Sequence, residues 1–272
     1  MPLATKVEES LEDFVNDSRA IVDGAKRRGI ELRILGALSC YLHLKELYPD
    51  AAAFYQGLGR LADGSTFTDL DLIGYKKERR KIMEVLEKDL GLKPDLRFMA
   101  LYGNERLLYH KDGKFSIDVF LDRLDYSHVV DFKGRLELDY PTISVTDLVL
   151  EKLQIHQINR KDLIDLVVTF LFHDVQNGFE RGVVDSAYIS SVLSSDWGFW
   201  YDATNNLGKA SQMCQLLQAE GKLTEEQRIR AETRIAELLR RIEGQPKTND
   251  WIKRSRVGTS KPWYRDVEEI VR

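Results

Sequence analysis

The seven residues Thr68-Asp69-Leu70-Asp71-Leu72-Ile73-Gly74 constrain this chain more than any other stretch. An apolar segment of this length with two carboxylates one residue apart reads as a strand. Side chains alternate along a strand, so Asp69 and Asp71 share one face while Leu70 and Leu72 point into the opposite layer. Like charges held that close repel, and a fold rarely keeps them so unless a cation or a shared proton compensates. Magnesium suits the pair, because hard carboxylate oxygens bind it and its remaining positions stay open to water or phosphate oxygens. The plain alternative is a strand end whose acids face water. Asp-x-Asp by itself does not decide between the two.

A chain of 272 residues can bury one large core or two modest ones, and two domains are expected. The formal net charge of −4 and a pI near 5.8 provide no global field for holding polyanions, so any nucleic-acid contact must be local. Cys40 and Cys214 lie far apart without metal-ligand spacing and read as buried free thiols of a reducing compartment. Met1 to Asp13 is acidic and lacks an apolar leader, and no run of about 18 apolar residues occurs. The expectation is a cytoplasmic protein with no membrane contact.

In chain order, Val7 to Lys26 has helical apolar spacing and ends in a basic turn before Gly29. Glu31 to Leu35 reads as a strand, and Gly36-Ala37-Leu38-Ser39 leads straight into an apolar helix reaching about Tyr48. Strand, glycine and helix start can bring backbone N–H groups to a phosphate, although a tight packing turn has the same pattern and is commoner. Pro49 to Gly64 reads as a loop or short helix. Its Gly57-Leu58-Gly59 precedes a strand and lacks a third glycine, so it is no dinucleotide fingerprint. A charged helix is expected from Lys76 to Leu90, its basic cluster reading as a solvated face or a polyphosphate contact. Leu96 to Tyr102 and Arg106 to Lys111 flank Gly103-Asn104 as the strands of a hairpin, followed by a turn at Asp112-Gly113 and a strand from Lys114 to Leu121. In that last strand Asp118 is embedded among Ile117, Val119 and Phe120. A carboxylate there needs a partner or a metal, which makes it the third acid; Asp122 is a weaker substitute at the strand end.

Downstream, Ser144 or Thr146 caps a helix carrying Leu148, Val149, Leu150, Lys152, Leu153 and Ile155, and a nearly continuously apolar helix follows from Asp162 to about Asp174, with Asp162 and Asp165 on one face. Thr224-Glu225-Glu226-Gln227 fits a capping box for a helix to Ile242, and from Gly244 Pro, Gly, Lys and Arg dominate. The expected fold class is α+β: a mixed-sheet domain with flanking helices over 1–143, an all-helical domain over 144–243 and a tail over 244–272. His43, His110, His128, His156 and His173 show no ligand spacing and read as structural. Trp197, Phe199, Trp200 and Tyr201 read as core, or as a surface that stacks a base.

The order of parts is strand, Gly36, helix; strand with Asp69 and Asp71; helix; hairpin; strand with Asp118. It resembles the minimal nucleotidyltransferase fold of the polymerase-beta type. Ser144 to Leu153 and Arg160-Lys161-Asp162-Leu163-Ile164-Asp165 are similar to the lysine helix and Lys-Asp-x-x-Asp helix of its AbiEii-like branch, which includes abortive-infection and toxin-antitoxin enzymes. The likeness spans roughly residues 30 to 172 by motif order.

What the resemblance implies is transfer of a nucleotide from a nucleoside triphosphate to an acceptor hydroxyl or phosphate. It implies two Mg²⁺ ions about 4 Å apart, Asp69 and Asp71 on both and Asp118 on the ion beside the acceptor. Gly36, Ala37, Ser39 and Thr68 would line the phosphate side, and Lys152, oriented by Asp162, would neutralise phosphate charge. The branch usually has Gly-Ser or Gly-Gly at the turn; Ala37 carries no hydroxyl, which bears on nucleotide affinity more than on metal. The branch also implies an RNA acceptor, tRNA included, and a cognate antitoxin partner. A small hydroxylated acceptor of the aminoglycoside kind, or a nucleotide-binding or interaction module that keeps the fold without the reaction, are the alternatives.

Overall fold

Apolar residues three and four apart fold Leu11–Arg27 into helix α1, whose buried stripe is Phe14, Val15, Ile21, Val22 and Ala25 in the computed structural model of the protein. The structure describes residues 11–60, 67–111 and 114–266; the Asp112-Gly113 turn and the end of the tail lie outside them. After α1 come strand β1 (Leu32–Ile34) and helices α2 (Gly36–Leu47) and α3 (Ala51–Gly57). Next are β2 (Asp69–Gly74), α4 (Arg79–Glu84), β3 (Lys93–Pro94), α5 (Leu96–Tyr102), β4 (Arg106–Lys111) and β5 (Phe115–Leu121). Short strands β6 (Arg123–Asp125) and β7 (Val129–Asp131) precede α6 (Val145–Leu153) and α7 (Arg160–Phe172). Strands β8 (Val175–Gln176) and β9 (Val184–Asp185) then lead to α8 (Ser186–Leu193), α9 (Trp197–Ala219), α10 (Glu225–Gly244) and α11 (Asn249–Ser255). The fold is mixed α+β. It divides into a first unit (Met1–Ser39, Ser65–Arg123, Asp131–Ser144) and a second (Cys40–Gly64, Leu124–Val130, Val145–Arg272).

The first unit is built on a mixed five-stranded sheet in the order β1-β2-β5-β4-β3. Its central pair, β2 and β5, is parallel, and the other pairings are antiparallel. Leu70 and Leu72, Ile117 and Val119, and Leu107 and Tyr109 form one wholly buried face. Helix α1 packs at β1, with Phe14 stacked on Phe67 and edge-on to Phe115.

Two expectations for this unit are corrected. Leu96–Tyr102 is a helix rather than a hairpin strand. Asp95 caps it by accepting from the Phe98 N–H at 2.9 Å, and Leu, Arg, Met and Ala are good helix formers. Gly103 has φ −60, so no turn of positive φ forms there, and β4 pairs instead with Lys93–Pro94. The helix expected over Lys76–Leu90 is irregular, passing from a 3-10 turn (Lys76–Glu78) through α4 to a π turn (Val85–Asp89). Asp122, at φ 65, is a turn residue whose carboxylate accepts from the Lys76 N–H.

In the second unit α7 is buried along nearly its whole length and packs on α9 and α10. The Thr224–Gln227 capping box starts α10. This part is not wholly helical: β8 and β9 pair in parallel. The segment after Gly244, expected as a tail, includes α11, capped by Thr248, and a strap that carries Trp263 back onto the unit.

Candidate functional site

Strand alternation places Asp69 and Asp71, both half-buried, on the face of the first unit's sheet opposite the Leu70 and Leu72 layer. Asp71 and Asp118 are register partners across the parallel β2–β5 pair, so their side chains leave the sheet side by side. Asp69 faces Ser116 in the same register and accepts from the Ser116 hydroxyl at 2.8 Å and the Thr68 hydroxyl at 3.0 Å. Asp118 is fully buried, and its counter-charge is Arg106 of β4, whose Nε donates to Oδ1 at 2.9 Å. The Arg106 guanidinium lies between the rings of Phe98, from α5, and Phe120. The segment mistaken for a strand thus supplies the ring that helps seat this cation.

Gly36 lies directly against Asp71. It has φ +72, and a Cβ there would lie 2.9 Å from Asp71 Oδ2. The Leu35 N–H donates to the Asp71 carbonyl at 3.0 Å, which ties the turn to the acidic strand. Ala37 is half-buried, and the wholly buried Ser39 hydroxyl has no hydrogen-bond partner among the described residues. Gly36→Ala is expected to cost about 1–2 kcal/mol from the left-handed backbone alone, with a further cost from the Asp71 clash. A thermal midpoint equal to that of the natural protein would show that the turn relaxes freely.

Among the described residues, no three His, Cys, Asp or Glu side chains are grouped to hold a metal ion. Asp69 and Asp71 still have the chemistry of a magnesium site, which needs only one or two carboxylates beside substrate oxygens. The Arg106 guanidinium holds Asp118 Oδ1, so a cation drawing on Asp118 competes with that ion pair for the carboxylate's charge.

Lys152 and Asp162 belong to the second unit, where a buried ion network joins them. Lys152 Nζ lies 2.9 Å from Asp162, 3.1 Å from Asp165 and 3.6 Å from Glu151. Asp165, with no exposed surface, also takes a forked pair of bonds from Arg60 at 2.8 and 3.1 Å and the Tyr55 hydroxyl at 2.6 Å. Burial alone would raise the Asp165 pKa, but Lys152 and Arg60 outweigh it and hold it below the ordinary 3.8. Burial would lower Lys152, yet Asp162, Asp165 and Glu151 carry it well above 10.5. Three carboxylates therefore balance Lys152 within its own unit. Burial pushes the Cys40 thiol, beside Asp165, up to about 12 and Cys214 likewise to about 12, so neither supplies a thiolate near neutral pH.

The spacing of Asp162 and Asp165 was a visible signal for this network; Arg60 and Tyr55, contributed from α3 and its end, had none. A second group had no sequence signal either: His128 Nε2 and His156 Nδ1 both meet the Asp202 carboxylate, at 2.8 and 3.1 Å. Comparison of the chain with protein-family models, with curated proteins and with solved structures returned no match.

Proposed function

We propose that the first unit carries a magnesium-dependent nucleotidyl-transfer site. An acceptor oxygen bonds to the α-phosphorus of a nucleoside triphosphate, the bond from that phosphorus to the bridging oxygen breaks, and pyrophosphate leaves. The observation that supports this most is the meeting of Asp71 with Asp118 across the central strands and with Gly36 at the start of α2.

Asp69 and Asp71 would hold the cation, which when bound supplies positive charge to the phosphate oxygens. The N-terminal end of α2 presents the positive end of the helix dipole beside these acids and favours the triphosphate's negative charge. Asp118 takes the acceptor's proton after the Arg106 guanidinium turns away from it. Lys152 and Asp162 are assigned no step here, because Lys152 is already surrounded by carboxylates. RNA is the acceptor class proposed, from the likeness to the AbiEii-like branch.

The Arg106–Asp118 pair and Ala37 favour a second reading, a module that binds nucleotide without transferring it. Incubation with Mg²⁺, α-labelled triphosphates and total RNA separates these cases. Label entering RNA is the expected result. Label entering only a small hydroxylated acceptor moves the substrate class, and nucleotide binding without any transfer supports the module.

A further inference from the structure

The second unit carries a shallow, solvent-open cavity of about 570 Å³ that the transfer chemistry does not use. One wall is a stripe of α9, where Asn205, Lys209 and Gln212 follow at helical spacing. Gly208 keeps this stripe low, since a Cβ there would meet nothing within 4 Å. Tyr201 stands one turn before Asn205 on the same stripe, and His156 and Trp263, from outside α9, supply an aromatic wall beside it.

Asp202, itself among the residues lining the cavity, anchors His156 and Trp263. The buried Asp202 carboxylate accepts from Trp263 Nε1 at 3.1 Å, His156 Nδ1 at 3.1 Å and His128 Nε2 at 2.8 Å. Burial alone would raise its pKa, but these bonds outweigh that and keep it below 3.8. An ionised carboxylate only accepts, so His156 carries a proton on Nδ1 and, when neutral, presents Nε2 as an acceptor. Among the described residues, Nε2 has no hydrogen-bond partner.

Trp263 differs from the other rings around it. Trp197 is stacked with Tyr201, His156 with Tyr264, and His128 with Phe199. The four ring neighbours of Trp263 all stand near-perpendicular to it, at 76 to 80°. It has no flat partner among the described residues, and it is half-exposed at the cavity. The strap that carries it is fixed. Arg254 donates to the Gly258, Lys261 and Pro262 carbonyls, the Arg265 N–H to the Ser127 carbonyl, and Gly198 sits so close that a Cβ there would be 2.3 Å from the Trp263 carbonyl oxygen.

From this geometry we infer that the cavity is a nucleotide-binding site: the base lies flat on Trp263, His156 Nε2 accepts from an N–H on its edge, and Lys209 meets the phosphate. The amides of Asn205 and Gln212 suit sugar hydroxyls. The same chemistry comes from a free nucleotide or from a nucleotide of single-stranded RNA. The site does not depend on the reaction proposed for the first unit.

Calorimetric titration of the full chain with each nucleoside monophosphate and with a short single-stranded RNA tests this. Binding of the monophosphate, the RNA or both is expected and names the source. Trp263→Ala and Lys209→Glu should each weaken it about tenfold or more, and Gly198→Ala should weaken it by displacing the strap. Lys209→Glu alters an exposed side chain and keeps the comparison valid if Trp263→Ala fails to fold. Lys253→Glu, on a lysine exposed elsewhere, should change nothing. The inference is overturned if neither ligand binds, if Lys209→Glu binds as the natural protein does, or if Lys253→Glu weakens binding equally.

Discussion

Asp165→Ala is expected to destabilise the second unit by about 3–5 kcal/mol, the usual cost of removing one partner from a buried charge pair. The carboxylate has no exposed surface and compensates both Arg60 and Lys152, so its loss leaves Arg60 inside the unit without its forked partner. Asp162→Asn should cost clearly less, since Lys152 keeps Asp165 and Glu151. Tryptophan emission under urea reports this unit alone, because all four tryptophans, Trp197, Trp200, Trp251 and Trp263, belong to it. Equal midpoints for the two variants would remove Asp165 from the centre of the network.

The same network sets a pH window. Asp165 has a folded pKa below its ordinary 3.8, so its stabilisation is present above that value and is lost as pH falls through the folded pKa. Lys152 has a folded pKa above 10.5, so its contribution is present below that value and is lost as pH rises through the folded pKa. The urea midpoint should therefore fall on the acid side below about 3.8 and on the alkaline side above about 10.5, and Asp165→Asn should lack Asp165's acid contribution.

Asp71→Asn should reduce nucleotidyl transfer about a hundredfold to a thousandfold, the scale lost when one charge-stabilising group is removed from a reacting centre. The substitution keeps the side chain's size and removes its charge. Burial in β2 comes from Leu70 and Leu72, so the sheet should melt near its natural temperature. Asp118→Asn is a less clean test because it strands Arg106 between Phe98 and Phe120. Transfer that persists in Asp71→Asn would sink the catalytic reading even if nucleotide still bound.

The sheet's central strands were legible because alternation is a local property: Leu70 and Leu72 are buried, Asp69 and Asp71 half-buried, and Asp118 sits in an apolar strand, each within a few residues. Leu96–Tyr102 was not, because a short apolar run satisfies strand and helix periods alike and Gly103-Asn104 tipped the reading toward a hairpin. The Asp95 cap was the signal to weigh against it. The partners that give buried charges their meaning were less visible still. Arg60 reaches Asp165 across 105 residues and Asp202 gathers histidines 74 and 46 residues away. No periodicity links such positions; only tertiary packing does.

Asp118 and its guanidinium partner are separated by 12 residues and lie on strands that pair with each other. The ribbon that draws the acid out of water delivers the neutralising group in the same closure. Assembly of this half of the molecule need not wait for an inorganic ion, and any ion that later arrives must compete with a resident one.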